Sequence, residues 1–169
     1  MISFKNIILI AAAISFIIVL GAAVYEHVAV VPRWKLAPPA SLAMFQGPYG
    51  INTAAFWKPI HPVTLLLLIV ALIANWKTAR RKLLLIHLSG YLLVLIITFI
   101  YFVPELISFM TMPYQQTVDQ ALVERAYRWE TLSLIRLFFI VGLAFTILLS
   151  LIKSALVTER AHSKKIALA

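Results

Sequence analysis

The chain has 169 residues, 63% of them hydrophobic and only 12% charged, against a charged share of about 25% in an ordinary soluble domain. Its mean hydropathy of +0.97 marks an integral membrane protein, and the absence of cysteine excludes disulfides, thiolate ligands, iron–sulfur clusters and cysteine nucleophiles. The formal charge of +9 does not point to nucleic acid, because the basic residues flank apolar runs with no aromatic-interleaved basic patch; it reads as a topology signal.

In chain order, four runs approach or exceed the length of about 20 residues that a bilayer requires, at roughly 6–31, 59–76, 83–103 and 131–152. The expected fold is all-α: one integral membrane domain over 1–169, folded as a four-helix transmembrane bundle. The first run follows Lys5 and contains GAAV at 21–24, features of a signal peptide, but it is longer than a usual h-region and is expected to be retained as a span. Next comes an outer connection, about 32–58, broken by Pro38, Pro39, Gly47, Pro48 and Gly50. Its aromatic residues Trp34, Phe45, Tyr49, Phe56 and Trp57 suit an interfacial cap, a lid over the bundle.

Lys77, Arg80, Arg81 and Lys82 fill the short link to the third run. Pro104 lies near the end of that run, where ELISFM is expected to prolong the helix beyond a kink. In the second outer connection, about 104–130, Thr117 and Gln120 have the spacing of a capping box, and TVDQALVERAYRW leads into the fourth run without Gly or Pro. Lys153, Arg160, Lys164 and Lys165 follow the last run and read as a solvated tail. Basic residues thus gather before the first span, between the second and third, and after the fourth. Those on the outer connections, Arg33, Lys35, Lys58, Arg125 and Arg128, are diluted by Asp119 and Glu124. The positive-inside rule then places both termini in the cytoplasm, and the expected location is a bacterial inner membrane.

Small and polar residues at helical spacing mark the face each span turns to its neighbours. The stripes are Ala11, Ser15, Ile18, Ala22 and Glu26; His61, Thr64, Leu68, Ala71 and Asn75; His87, Gly90, Val94, Thr98, Tyr101 and Glu105; and Trp129, Ser133, Arg136, Phe139, Gly142, Thr146 and Ser150. Their ionisable members, His87 apart, converge on the outer half. Arg136 falls about 8 Å below Thr131 at a rise of about 1.5 Å per residue. A charge at that depth is costly, so partners are expected, and Glu26 and Glu105 are the evident counter-charges. Glu130, about 120° away round the helix, and His27, about 100° from Glu26, are read as facing elsewhere.

Two kinds of chemistry suit this cluster. Glu26, His61 and Glu105 form a carboxylate–imidazole set of metal-ligating type, but Arg136 beside it opposes a cation, no Glu-x-x-His pair of the di-iron bundle type occurs on any span, and no two histidines face inward at matched depth for haem. No cofactor is therefore expected. General acid–base work on a lipophilic, weakly acidic molecule uses every converging residue: His61 or Glu105 as base, Arg136 as anion partner, and Glu26, Tyr101, Trp129 and Ser133 as substrate-binding groups. Snorkelling of Arg136 and ion-pair glue between helices are the non-catalytic readings, the latter fitting an accessory subunit of a homo-oligomer or larger membrane complex. A transporter is disfavoured, since no span has a central Gly/Pro break.

Trp129, Ser133 and Arg136 at the opening of the last apolar helix resemble the motif of the anthrone oxygenase-like membrane family, in which a Trp is followed four residues on by Asn or His and seven on by Arg. Gly21 followed by Pro32, and Gln46, Asn52 and Pro59 in FQGPYGINTAAFWKP, are similar to that family's first span and polar outer loop. The resemblance implies a small four-helix membrane bundle and, from fungal members, oxidation of anthrones to anthraquinones. Ser133 departs from the middle position of the motif, where it supplies neither amide nor imidazole; His61 is the candidate substitute.

Overall fold

The computed structural model describes the backbone of residues 2–166 and the side chains of residues 2–153. Four helices in it are long and apolar enough to cross a membrane: α1 (Phe4–Trp34), α2 (Ala54–Ala74), α3 (Arg81–Met110) and α4, which is apolar over Gln120–Lys153 and continues to Ile166. No strand occurs among the described residues. The expected solvated side chains of Arg160, Lys164 and Lys165 lie outside them. The helices close into a ring in which α1 packs on α2 and α4, and α3 packs on the same two, so α1 and α3 stand diagonally.

The apolar content decides which way each helix faces. Phe99, Phe138 and Phe145 are more than half exposed on the outside of the ring, as a lipid-facing surface requires. Inside, Leu9, Phe16, Leu68, Tyr91, Leu95, Ile140 and Ile147 form one core. A second, separate core lies at the loop end, built from Val30, Trp34, Leu42, Phe102, Phe109, Leu122 and Trp129.

Two π-helical turns lie where the cores meet. Glu26–Val30 in α1 and Thr98–Phe102 in α3 each insert a residue, so Val31 N–H reaches the Glu26 carbonyl and Val103 N–H reaches that of Thr98. Each turn precedes a proline, Pro32 or Pro104. A proline ring clashes with the carbonyl four residues back and offers it no N–H; the wider turn removes the clash without ending the helix. The kink expected at Pro104 is thus a π turn that carries the helix on to Met110.

The loop-end lid exists, with some changes of membership. Trp34 is buried edge-on against Trp129 at 5.5 Å and tilted against Phe109 at 5.3 Å, while Phe45 packs on the same cluster. Tyr49, expected in the cap, is 98% exposed. The lid is stitched down by Gln46 Nε2 donating to the Met112 carbonyl at 2.8 Å, by Asp119 N–H on the Pro38 carbonyl at 3.0 Å, and by an ion pair between Lys35 and Glu130. Glu130 therefore does face away from Arg136. The cap of α4 is Asp119, whose Oδ1 accepts from the N–H groups of Ala121 and Leu122 at 2.8 and 3.3 Å, rather than the expected Thr117 box.

Three stripe positions are corrected: Ile18, Phe139 and Gly142 are exposed. Size misleads there, since Gly142 has nothing near it while Ile140, Ala144 and Ile147 carry the α4 seam. Arg80, read only as a topology charge, is buried at the end that carries the termini. Its Nη1 donates to Asn6 Oδ1 at 2.7 Å and Asn75 Oδ1 at 3.3 Å, and its Nη2 donates to the Leu151 carbonyl at 3.3 Å, tying α1, the α2 end and α4 together.

Candidate functional site

A polar layer separates the two apolar cores, and the two π turns and α4 supply it. Arg136 donates from Nη2 to Ser133 Oγ at 2.8 Å and from Nη1 to Thr98 Oγ1 at 3.1 Å, and its guanidinium lies 4.0 Å from the centroid of the Phe102 ring. Thr98 and Phe102 bracket the π turn of α3. The cation is thus held by two hydroxyls and an aromatic face, an arrangement that solvates a charge without neutralising it.

Ser133 connects Arg136 to α1. His27 Nδ1 lies 2.7 Å from the Ala23 carbonyl, which only accepts, so this nitrogen is the donor. Nε2 is left to accept from the Ser133 hydroxyl at 3.0 Å, and Ser133 accepts in turn from Arg136. One hydrogen-bond direction therefore runs Arg136, Ser133, His27, Ala23. The reading of His27 as loop-facing is corrected. Within the π turn, Glu26 and His27 look into the bundle on two sides, Glu26 toward α2 and His27 toward α4.

The expected counter-charges divide. Glu26 Oε1 accepts from Trp57 Nε1 at 2.7 Å and stays close enough to Arg136 for Coulombic attraction, without ion-pair contact. Glu105 does not reach Arg136 at all. It is held two-pronged by Arg125, Nε to Oε1 and Nη2 to Oε2 each at 3.0 Å. The reason is geometric: Glu105 lies beyond Pro104 on the extension of α3, where the start of α4 passes, and Arg125 is the first cation there. Glu105 is thus the partner of Arg125 and not of Arg136. Tyr101, expected to assist Arg136, packs edge-on against Phe102 at 5.1 Å instead. Trp129 is buried, donating Nε1 to the Phe102 carbonyl at 3.2 Å, and stands edge-on to both Phe102 and Trp34 as a wall.

His61 faces inward as expected, stacked on Trp57 with centroids 5.2 Å apart and hydrogen-bonded through Nδ1 to the Tyr91 hydroxyl at 2.8 Å. Beneath it Ser15 and Thr64 share a 2.6 Å hydrogen bond between α1 and α2. Tyr91, fully buried, is the polar residue that the stripes passed over; the spacing 87, 91, 94, 98 carries it as well as the 87, 90, 94 chosen. His87 lies deeper, its Nδ1 near the Leu143 carbonyl at 2.9 Å and its ring against Phe16.

Among the described residues no three His, Asp or Glu side chains converge as metal ligands. Glu26, His61 and Glu105 do not come together, because Glu105 is held by Arg125 and Glu26 Oε1 by Trp57. Between the layer and the lid runs a crevice of about 10 Å³, lined by Glu26, Trp34, Phe45, Thr53, Leu106 and Trp129. That is room for about one water. Comparison with family models, with curated proteins and with solved structures finds no match to this chain.

Proposed function

We propose that this multi-pass protein binds a lipophilic, weakly acidic aromatic molecule, a phenol or enol, as its anion at Arg136. One observation carries the reading. A guanidinium has five N–H donors; among the described residues Arg136 places two on neutral hydroxyls and no carboxylate touches it. Charges at membrane depth are normally paired with an opposite charge, so the vacant valence suits a ligand oxyanion. Glu26, which lines the crevice, is the group that takes the proton, with His61 next to it behind Trp57. Phe102 and Trp129 offer aromatic walls. Resemblance to the anthrone oxygenase-like family supports the same ligand class, with oxygenation as the reaction. The gathering of cations at the end that carries the termini supports a bacterial inner membrane with that end cytoplasmic.

Entry requires the lid to lift, because a crevice of about 10 Å³ is far below the 300 Å³ or more of a ligand pocket. That closed geometry favours a second reading, a non-enzymatic accessory subunit in which the polar layer locks helices together. Titrating the protein in lipid nanodiscs with 2-naphthol, followed by naphtholate absorbance, separates the two. Wild type and Arg125→Gln should deepen ionisation of the bound naphthol, and Arg136→Gln should abolish it while staying folded. Equal naphtholate signals for wild type and Arg136→Gln refute the anion site; unfolding of Arg136→Gln without any ligand signal in wild type supports the accessory reading.

A further inference from the structure

At the end of the bundle that carries the termini, an open groove of about 470 Å³ lies between the α2–α3 link and α4, lined by Trp76, Lys77, Thr78, Arg81, Lys82 and Lys153. Four of these are cations, and among the described residues none of the four is in ion-pair contact with a carboxylate. The described acidic residues, Glu26, Glu105, Asp119, Glu124 and Glu130, all belong to the loop-end half of the fold. No described carboxylate therefore serves as the anion that would complete the groove.

Its surroundings say which kind. Arg81 lies 5.3 Å from the Trp76 ring centroid, and Trp76 is 49% exposed where the apolar run of α2 ends, the position of an interfacial anchor. One helical turn toward the membrane from Arg81 and Lys82, Leu85 and Ile86 are exposed, as is Leu149 one turn from Lys153. Polar cations above and bare apolar side chains below fit an amphiphile. We propose that this groove holds the phosphate-bearing headgroup of an anionic phospholipid, with Lys77, Arg81, Lys82 and Lys153 around the phosphate and acyl chains along α3 and α4. Cations that only orient the chain in the bilayer need neither a groove nor convergence from the link and α4.

Each cation near a membrane surface contributes about fivefold to anionic lipid affinity, so Arg81→Gln with Lys82→Gln should lose about thirtyfold, and Lys77→Gln alone about fivefold. All three side chains are exposed, so the fold tolerates the changes. Delipidated full-length protein in neutral detergent is titrated with phosphatidylglycerol, phosphatidylcholine or inorganic phosphate, with retention read by native mass spectrometry. Expected are phosphatidylglycerol adducts that weaken by those factors in the variants, weak phosphatidylcholine adducts unchanged by them, and no displacement by millimolar phosphate. Three results would overturn the proposal: unchanged phosphatidylglycerol retention in both variants, an equal loss in the loop-end control Arg33→Gln with Lys58→Gln, or displacement by inorganic phosphate, which marks a soluble-anion site.

Discussion

Ser133→Ala removes one oxygen and with it two links, the 2.8 Å bond from Arg136 and the 3.0 Å bond to His27. Ser133 is fully buried, whereas Arg136 and His27 are half-buried, so the two orphans recover their lost partner only in part while the bundle stays folded. Hydrogen bonds inside membranes average about 0.6 kcal/mol, which sets a floor near 1.2 kcal/mol for two. Leaving a buried polar group unsatisfied costs about 1–3 kcal/mol, so two orphans set a ceiling near 6 kcal/mol. Arg136 keeps Thr98 and the Phe102 face, and its long side chain can shift, which places the expected loss in the lower half, about 1.5–3 kcal/mol. Thr98→Val, which preserves shape and deletes one 3.1 Å bond, should cost about 0.5–1 kcal/mol. Reversible unfolding in mixed micelles, read by tryptophan fluorescence, measures both. The exposed Thr131, bonded only to its own helix at the Tyr127 carbonyl, gives the baseline. If Ser133→Ala falls within about 0.5 kcal/mol of Thr131→Ala, the continuous link from α4 to α1 does not hold. A His27→Ala cycle adds a check, since the two substitutions should cost less together than the sum of their separate effects.

Arg80→Ala should destabilise the fold by about 3–5 kcal/mol in the same unfolding assay, because it leaves Asn6, Asn75 and the Leu151 carbonyl without their shared donor; a loss below about 1 kcal/mol would show that the hub is dispensable. Trp34→Ala should cost about 3–5 kcal/mol and expose the loop-end core to limited proteolysis, whereas Tyr49→Ala, at 98% exposure, should stay within about 0.5 kcal/mol; comparable values for the two would remove the lid from the account.

The four spans were legible because each needs a long apolar run and nothing in the chain competes with that requirement. The inward faces of α2 and α3 were legible too, since Thr64, Asn75 and His87 have no place against lipid and are buried. Along α4 the same rule failed at Gly142, because a small residue tolerates either environment while Ile140 and Ile147 fill the seam by shape. His27 was misplaced for another reason. An α-helical wheel assigns one azimuth per residue, and the π turn widens the helix where Glu26 and His27 both enter the layer. Pro32, six residues after Glu26, was the available signal. The choice of Arg125 over Arg136 for Glu105 depended on how the α3 extension passes α4, a tertiary distance that no spacing within one helix encodes.

The two π turns also act as phase shifts. On either side of Glu26–Val30 and Thr98–Phe102 the chain meets a different packing problem, bilayer-depth core below and loop-end core above. A continuous α-helix would lock both solutions to a single register, so a change in one would rotate the other. The extra residue uncouples them. Deleting one residue from either turn would restore regular winding and swing the segment beyond it by about 100°, carrying Trp34 off Trp129 or Phe109 off Trp34 while leaving the membrane-depth seam unaltered. The lid is in this sense a separately tunable module that shares its helices with the bundle but not its register.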